Sequence, residues 1–139
     1  MTTKVMDLVS DFGQIQIYDD EEFDGDELDW TAESMAEFAS FGDQCAGLQV
    51  IENDDHKIPV SVMAAAPEAD LSAWDHIVEV PFECLSSKIT IADEEFDLPA
   101  GNYTVRWSIK KTGECSGNYQ LDFIAQKSSG RHVLKQMPQ

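Results

Sequence analysis

Period-two alternation of apolar and polar residues governs this chain. Tyr103, Val105, Trp107 and Ile109 alternate with Thr104, Arg106 and Ser108. Successive side chains on a strand point to opposite faces, so this pattern demands a sheet buried on one side. The same reading predicts strands at residues 14–18, 46–52, 58–64, 76–82, 88–91 and 118–125, with a further one at 5–9. Most are rich in Val, Ile and aromatic residues, which suit a half-buried pleated surface. Leu98-Pro99-Ala100-Gly101 carries Pro at the second turn position and Gly at the fourth, a hairpin-type turn. Lys111-Thr112-Gly113 and Ser116-Gly117-Asn118 mark the next reversal. Pro81 falls inside an expected strand and has no N–H to give a ladder, so that strand is expected at an edge or a bulge.

One helix is predicted, from Ala32 to about Ser40. Asp29 or Thr31 would cap it, Ala32, Met35, Ala36 and Ala39 would form its apolar stripe, and Gly42 would stop it. The expected fold is mainly β: an antiparallel β-sandwich with one short α-helix packed at an end or edge. With 139 residues, 42% of them hydrophobic, the chain can bury one core. Residues 1–126 are expected as a single domain and 127–139 as a frayed C-terminal tail.

Charge is plentiful and uneven. Of 27 acidic side chains, 25 fall in residues 1–100, against three basic ones, Lys4, Lys57 and Lys88. Residues 101–139 hold two acidic and six basic side chains. A formal charge of −18 disfavours direct binding of DNA or RNA, which needs a basic face for phosphates. A basic partner suits this surface better. No apolar run approaches the ~18 residues that span a bilayer, and Met1-Thr2-Thr3-Lys4 leads into no signal-type segment. A cytoplasmic location, away from membranes, is the expectation. Cys45, Cys84 and Cys115 are widely spaced and odd in number, so reduced thiols are expected rather than a zinc ribbon or a disulfide framework.

The acid is densest in Asp19-Asp20-Glu21-Glu22-Phe23-Asp24-Gly25-Asp26-Glu27-Leu28-Asp29, where eight of eleven side chains are carboxylates. Like charges packed this closely repel one another. A divalent-metal loop, a surrogate for nucleic-acid phosphates and a solvated salt-adapted surface all fit. The metal reading fails on spacing. Asp20, Glu22, Asp24 and Gly25 match positions 1, 3, 5 and 6 of an EF-hand loop, but Thr31 then stands where a bidentate Glu is needed. No metal or cofactor is expected. Catalysis lacks a motif too: His56, His76 and His132 show no HExxH-like spacing, and no GxSxG or P-loop pattern occurs. Trp30, where the acid run meets the helix, is expected either to anchor the run's exit or to serve as an interface hot spot.

Several elements occur together in a known order. They are Ile15-Gln16-Ile17-Tyr18, then Asp29-Trp30-Thr31 with its acidic helix, then Val78-Glu79-Val80-Pro81-Phe82. Last comes Phe96-Asp97-Leu98-Pro99-Ala100-Gly101-Asn102-Tyr103, leading into the Trp107 strand. Across about residues 14–125 the chain resembles the competence protein J family, the bacterial inhibitors of a DNA-entry nuclease. It departs from that pattern in the extra acidity of 19–29 and in segment 64–76. The resemblance implies an acidic, non-enzymatic inhibitor that occludes a basic bacterial nuclease, either a competence nuclease or a toxin for which the chain is the immunity protein. The alternative is an acidic divalent-cation-binding β-sandwich module without catalytic activity. On the inhibitor reading the partner-binding residues are Asp19, Asp20, Glu21, Glu22, Phe23, Asp24, Asp26, Glu27, Asp29 and Trp30. Asp93-Glu94-Glu95-Asp97 and Glu52-Asp54-Asp55 would widen the footprint if their loops share that face.

Overall fold

The computed structural model describes residues 2–10, 13–19, 30–42, 44–51, 55–66, 68, 70–114 and 116–137. Their elements run β1 (Thr2–Val9), β2 (Gln14–Asp19), α1 (Ala32–Ala36), β3 (Ala39–Phe41), β4 (Cys45–Gln49) and β5 (Asp55–Met63). They continue with β6 (His76–Cys84), β7 (Lys88–Ile91), β8 (Glu94–Asp97), β9 (Gly101–Gly113), β10 (Ser116–Ile124) and β11 (His132–Lys135). A six-stranded sheet in the order β1-β5-β10-β9-β6-β11 faces a five-stranded sheet in the order β3-β4-β2-β7-β8. All pairings are antiparallel except β5 with β10. The mainly-β expectation is met, with a single short helix among the described residues.

Alternation builds the core. Val105, Trp107 and Ile109 of β9 and Leu121 and Phe123 of β10 face Ile15, Ile17, Leu48, Ile89 and Ile91 of the smaller sheet, all fully buried. Trp107 stacks on Tyr119 with ring planes 8° apart and donates its indole N–H to the Gln49 carbonyl at 2.9 Å, which ties the two sheets together. The turn before β9 has a second lock: the Tyr103 hydroxyl donates to the Pro99 carbonyl at 2.6 Å. Gly101 follows with φ +153°, in a region that glycine tolerates and other residues avoid. Pro81 lies beyond the part of β6 that β11 pairs, namely Ile77–Glu79, so the proline sits where that side of β6 carries no ladder among the described residues.

Three expectations need correction. The helix ends at Ala36, not near Ser40: Glu37 is its C-cap and Phe38 takes φ +66°, which turns the chain into β3. Ala39 is therefore a strand residue, Met35 is 51% exposed, and the helix buries Ser34 rather than the predicted stripe. Thr31 is the N-cap, in a reciprocal pair with Ser34: Thr31 Oγ1 accepts from the Ser34 N–H at 3.0 Å, and Ser34 Oγ accepts from the Thr31 N–H at 2.8 Å. The tail expected to fray contains β11, which pairs with β6. Arg131 Nε binds Glu37, and the Gln136 amide donates to the Ala36 carbonyl, so the same segment straps α1.

Candidate functional site

Both described flanks of the acid run are tied to β2, the middle strand of the five-stranded sheet. Asp19 ends that strand with the parity of Ile15 and Ile17 and is fully buried. One carboxylate oxygen accepts the backbone N–H groups of Leu85 at 2.7 Å and Ser86 at 3.0 Å. Asp19 thus holds the turn after β6, with its side chain turned into the protein. Trp30 is half-buried, and its indole N–H donates to the Gln14 side chain at 3.0 Å, at the other end of β2. Anchor and exposed aromatic are therefore combined in one side chain. Asp20, Glu21, Glu22, Phe23, Asp24, Asp26, Glu27 and Asp29 lie outside the described residues.

Gln14 belongs to the outward face of this sheet, with Gln16 and Tyr18. Register aligns Cys45, Tyr18, Thr90 and Glu95 in one row across β4, β2, β7 and β8, on the side away from the core, with Cys45 and Thr90 buried and Glu95 exposed. Lys88 and Asp97 form the next row at the sheet's edge. Asp93, Glu94, Glu95 and Asp97 are all exposed, and Lys88 approaches Glu95 at 3.6 Å. The β7–β8 hairpin therefore brings Glu95 and Asp97 to the face on which Trp30 is pinned, whereas Glu94 pairs with the inward-facing Ile91 and does not join them. Asp55 does not join them: it begins β5, in the other sheet. Glu52 and Asp54 lie outside the described residues.

Three of the six basic groups from the end of the chain pair with carboxylates from its acidic part. Arg106 Nε binds Glu79 at 2.8 Å, Arg131 binds Glu33 and Glu37, and Lys110 lies 3.9 Å from Asp75. The charge asymmetry along the sequence therefore does not become a basic face opposite an acidic one. Other candidate chemistry is structural. Cys45 and Cys84 are buried and in no disulfide, burial pushes the Cys84 pKa up, and Cys115 lies outside the described residues. His56 packs edge-on against Tyr119, His76 is fully buried, and His132 is exposed on β11. Among the described residues no three His, Cys, Asp or Glu side chains come together as metal ligands would. No described helix is long and apolar enough to cross a membrane.

Sequence reasoning missed one polar group of note, the buried row Glu79, Arg106 and Asp122 on the outer side of the six-stranded sheet. Its signal was present: two charged residues occupy the polar positions of the two most regular strands.

Fold and site together define an acidic two-sheet β-protein that offers a surface and contains no assembled catalytic group among the described residues. A profile of the competence protein J (ComJ) family matches residues 7–124, so the chain belongs to that family. The crystal structure of ComJ from Bacillus subtilis, described as the inhibitor of the DNA-degrading activity of NucA, superimposes with a TM-score of 0.70. That match covers 91% of this chain and 100% of the other at 17% identity, a likeness of fold. No curated protein matches the chain significantly.

Proposed function

We propose that this protein inhibits a bacterial nuclease by covering its active site, and that the outward face of the five-stranded sheet and the acid run make the contact. Family membership over residues 7–124 carries this reading, since the Bacillus subtilis family member is described as a nuclease inhibitor. A nuclease groove is built from basic groups that hold phosphates. Carboxylates at 20–29, joined by Glu95 and Asp97, supply a complementary potential that steers association. Trp30 supplies an anchor that slows dissociation. The partner is a basic nuclease, either of competence or a toxin against which this chain confers immunity, and the cytoplasm is where the two meet. Acting by occlusion, the inhibitor needs no chemistry of its own.

The test is a DNase assay with the nuclease recovered on this chain from the source lysate or encoded beside it. Inhibition at near-stoichiometric ratio is expected. Asp24→Lys, Asp26→Lys and Glu27→Lys together should slow association about tenfold or more at low salt, with less effect at high salt. A nuclease left fully active by excess protein would sink the inhibitor reading. A triple variant that associates as fast as wild type would move the contact elsewhere.

A further inference from the structure

The outer side of the six-stranded sheet buries charge beside an open cavity. Register aligns Glu79, Arg106 and Asp122 across β6, β9 and β10. Arg106 is 7% exposed and Asp122 only 3%. The guanidinium is committed to Glu79 at 2.8 Å. Among the described residues the one group donating to Asp122 is the Gln120 side-chain amide, 3.1 and 3.3 Å from its two oxygens. An ionised carboxylate can accept about four hydrogen bonds, so one neutral amide is a poor substitute for the water it left. Burial pushes the Asp122 pKa up, and Gln120 and Arg106 offset that only in part.

Asp122 lines a cavity of about 170 Å³, which Ser108, Gln120 and Trp74 also line and which has the exposed Glu68 and Asp70 at its lip. That is far more than the ~15 Å³ one water needs. With Arg106 paired to Glu79, the cavity keeps an excess of negative charge. Its acceptors do not converge as metal ligands do. Asp122, Ser108 and Gln120 supply a carboxylate, a hydroxyl and an amide to the lining, and Trp74 adds an aromatic ring. A cation with several N–H donors matches such a lining, because each donor meets a separate acceptor and the ring favours positive charge.

We propose that this cavity binds a small organic cation, an ammonium or guanidinium group, with Asp122 as its counter-ion. The site lies on the sheet opposite the proposed nuclease-binding face, so the two readings stand or fall independently.

The test is thermal unfolding of the full chain titrated with agmatine, with NaCl adjusted to hold ionic strength constant. Wild type should gain about 3 °C or more once agmatine exceeds its Kd tenfold. Asp97→Asn, a surface control for general screening of an acidic protein, should respond like wild type. Asp122→Asn should lose the response, while its ligand-free Tm equals or exceeds that of wild type, because a poorly supported buried charge is gone. An equal response from Asp122→Asn and wild type, or none from wild type at 50 mM agmatine, overturns the proposal. If Asp122→Asn does not fold, Ser108→Ala and Trp74→Leu take its place. Each should weaken the response about tenfold, and unchanged responses in both overturn the site. A blocked arginine amide in place of agmatine separates a free amine from a protein side chain as the source; binding of either supports the site.

Discussion

Asp19 shows how one residue's role turns on parity. Read within an acidic run, it is one carboxylate of eight; read within β2, it follows Ile15 and Ile17 onto the buried side. Its carboxylate caps the backbone N–H groups of Leu85 and Ser86. Asp19→Ala should therefore cost about 2–3 kcal/mol in urea unfolding while the folded fraction inhibits normally. Loss of inhibition with intact stability would return Asp19 to the interface. Tyr103 is a different case: strand alternation marked its ring as core, and the structure added the bond its hydroxyl makes. The Leu-Pro-x-Gly-x-Tyr turn brings its hydroxyl back onto the Pro99 carbonyl, as in the tyrosine corners of other β-sandwiches. Tyr103→Phe should cost about 1 kcal/mol by chemical denaturation, with no change in fold. For Trp30, replacement by Phe removes the bond to Gln14 but keeps the ring. Faster dissociation of the Ala variant alone would assign the contact to the ring rather than to the anchor.

Elements without strong periodicity were the ones sequence reading missed. β8 is Glu94-Glu95-Phe96-Asp97, three poor strand formers around one apolar residue, and the turn before it lacks an Asn-Gly signature. The structure nonetheless makes a two-residue hairpin there, with Ala92 at φ +47° and Asp93 at φ +70°. Both residues occupy the left-handed region at a steric cost. Ala92→Asn with Asp93→Gly should raise stability by about 1 kcal/mol, read as a higher urea midpoint at unchanged slope. β11 was read as tail because four residues carry no period, yet it is held by β6 and by contacts to α1. His76 joins these pieces. Its Nδ1 accepts the Met137 N–H at 3.1 Å, so its own proton sits on Nε2, 2.7 Å from the Glu37 carbonyl. Burial holds its pKa below the ordinary 6.5, although Glu37 pulls the other way. A pKa lower in the folded than in the unfolded chain means that the neutral ring stabilises the fold above about pH 6.5 and that this contribution fades as pH falls below it. Urea midpoints between pH 7.5 and 5 should fall more for wild type than for His76→Gln. Parallel curves would remove His76 as the cause.

On the scale of the whole molecule, uneven charge along the sequence becomes pairing in space. Arg106, Lys110 and Arg131 come from the basic end and meet Glu79, Asp75, Glu33 and Glu37 from the acidic part. The chain still carries a net charge of −18, and its surplus carboxylates repel one another. Thermal stability should rise between 20 mM and 500 mM NaCl as this repulsion is screened, while nuclease association slows over the same range. Stability that is flat with salt would mean the carboxylates are too far apart to interact.

The sequence by itself determined that the chain is a β-protein, which strands form its centre and which residues fill the core, because strand parity is written in successive side chains. It also carried the ordered elements by which the family was recognised. Only the tertiary structure decided that Asp19 is internal, that Trp30 shares a face with Glu95 and Asp97, and that Asp122 meets a cavity. Those facts depend on register and on which strands become neighbours. Register is set by contacts between residues distant along the chain, and no local pattern encodes it.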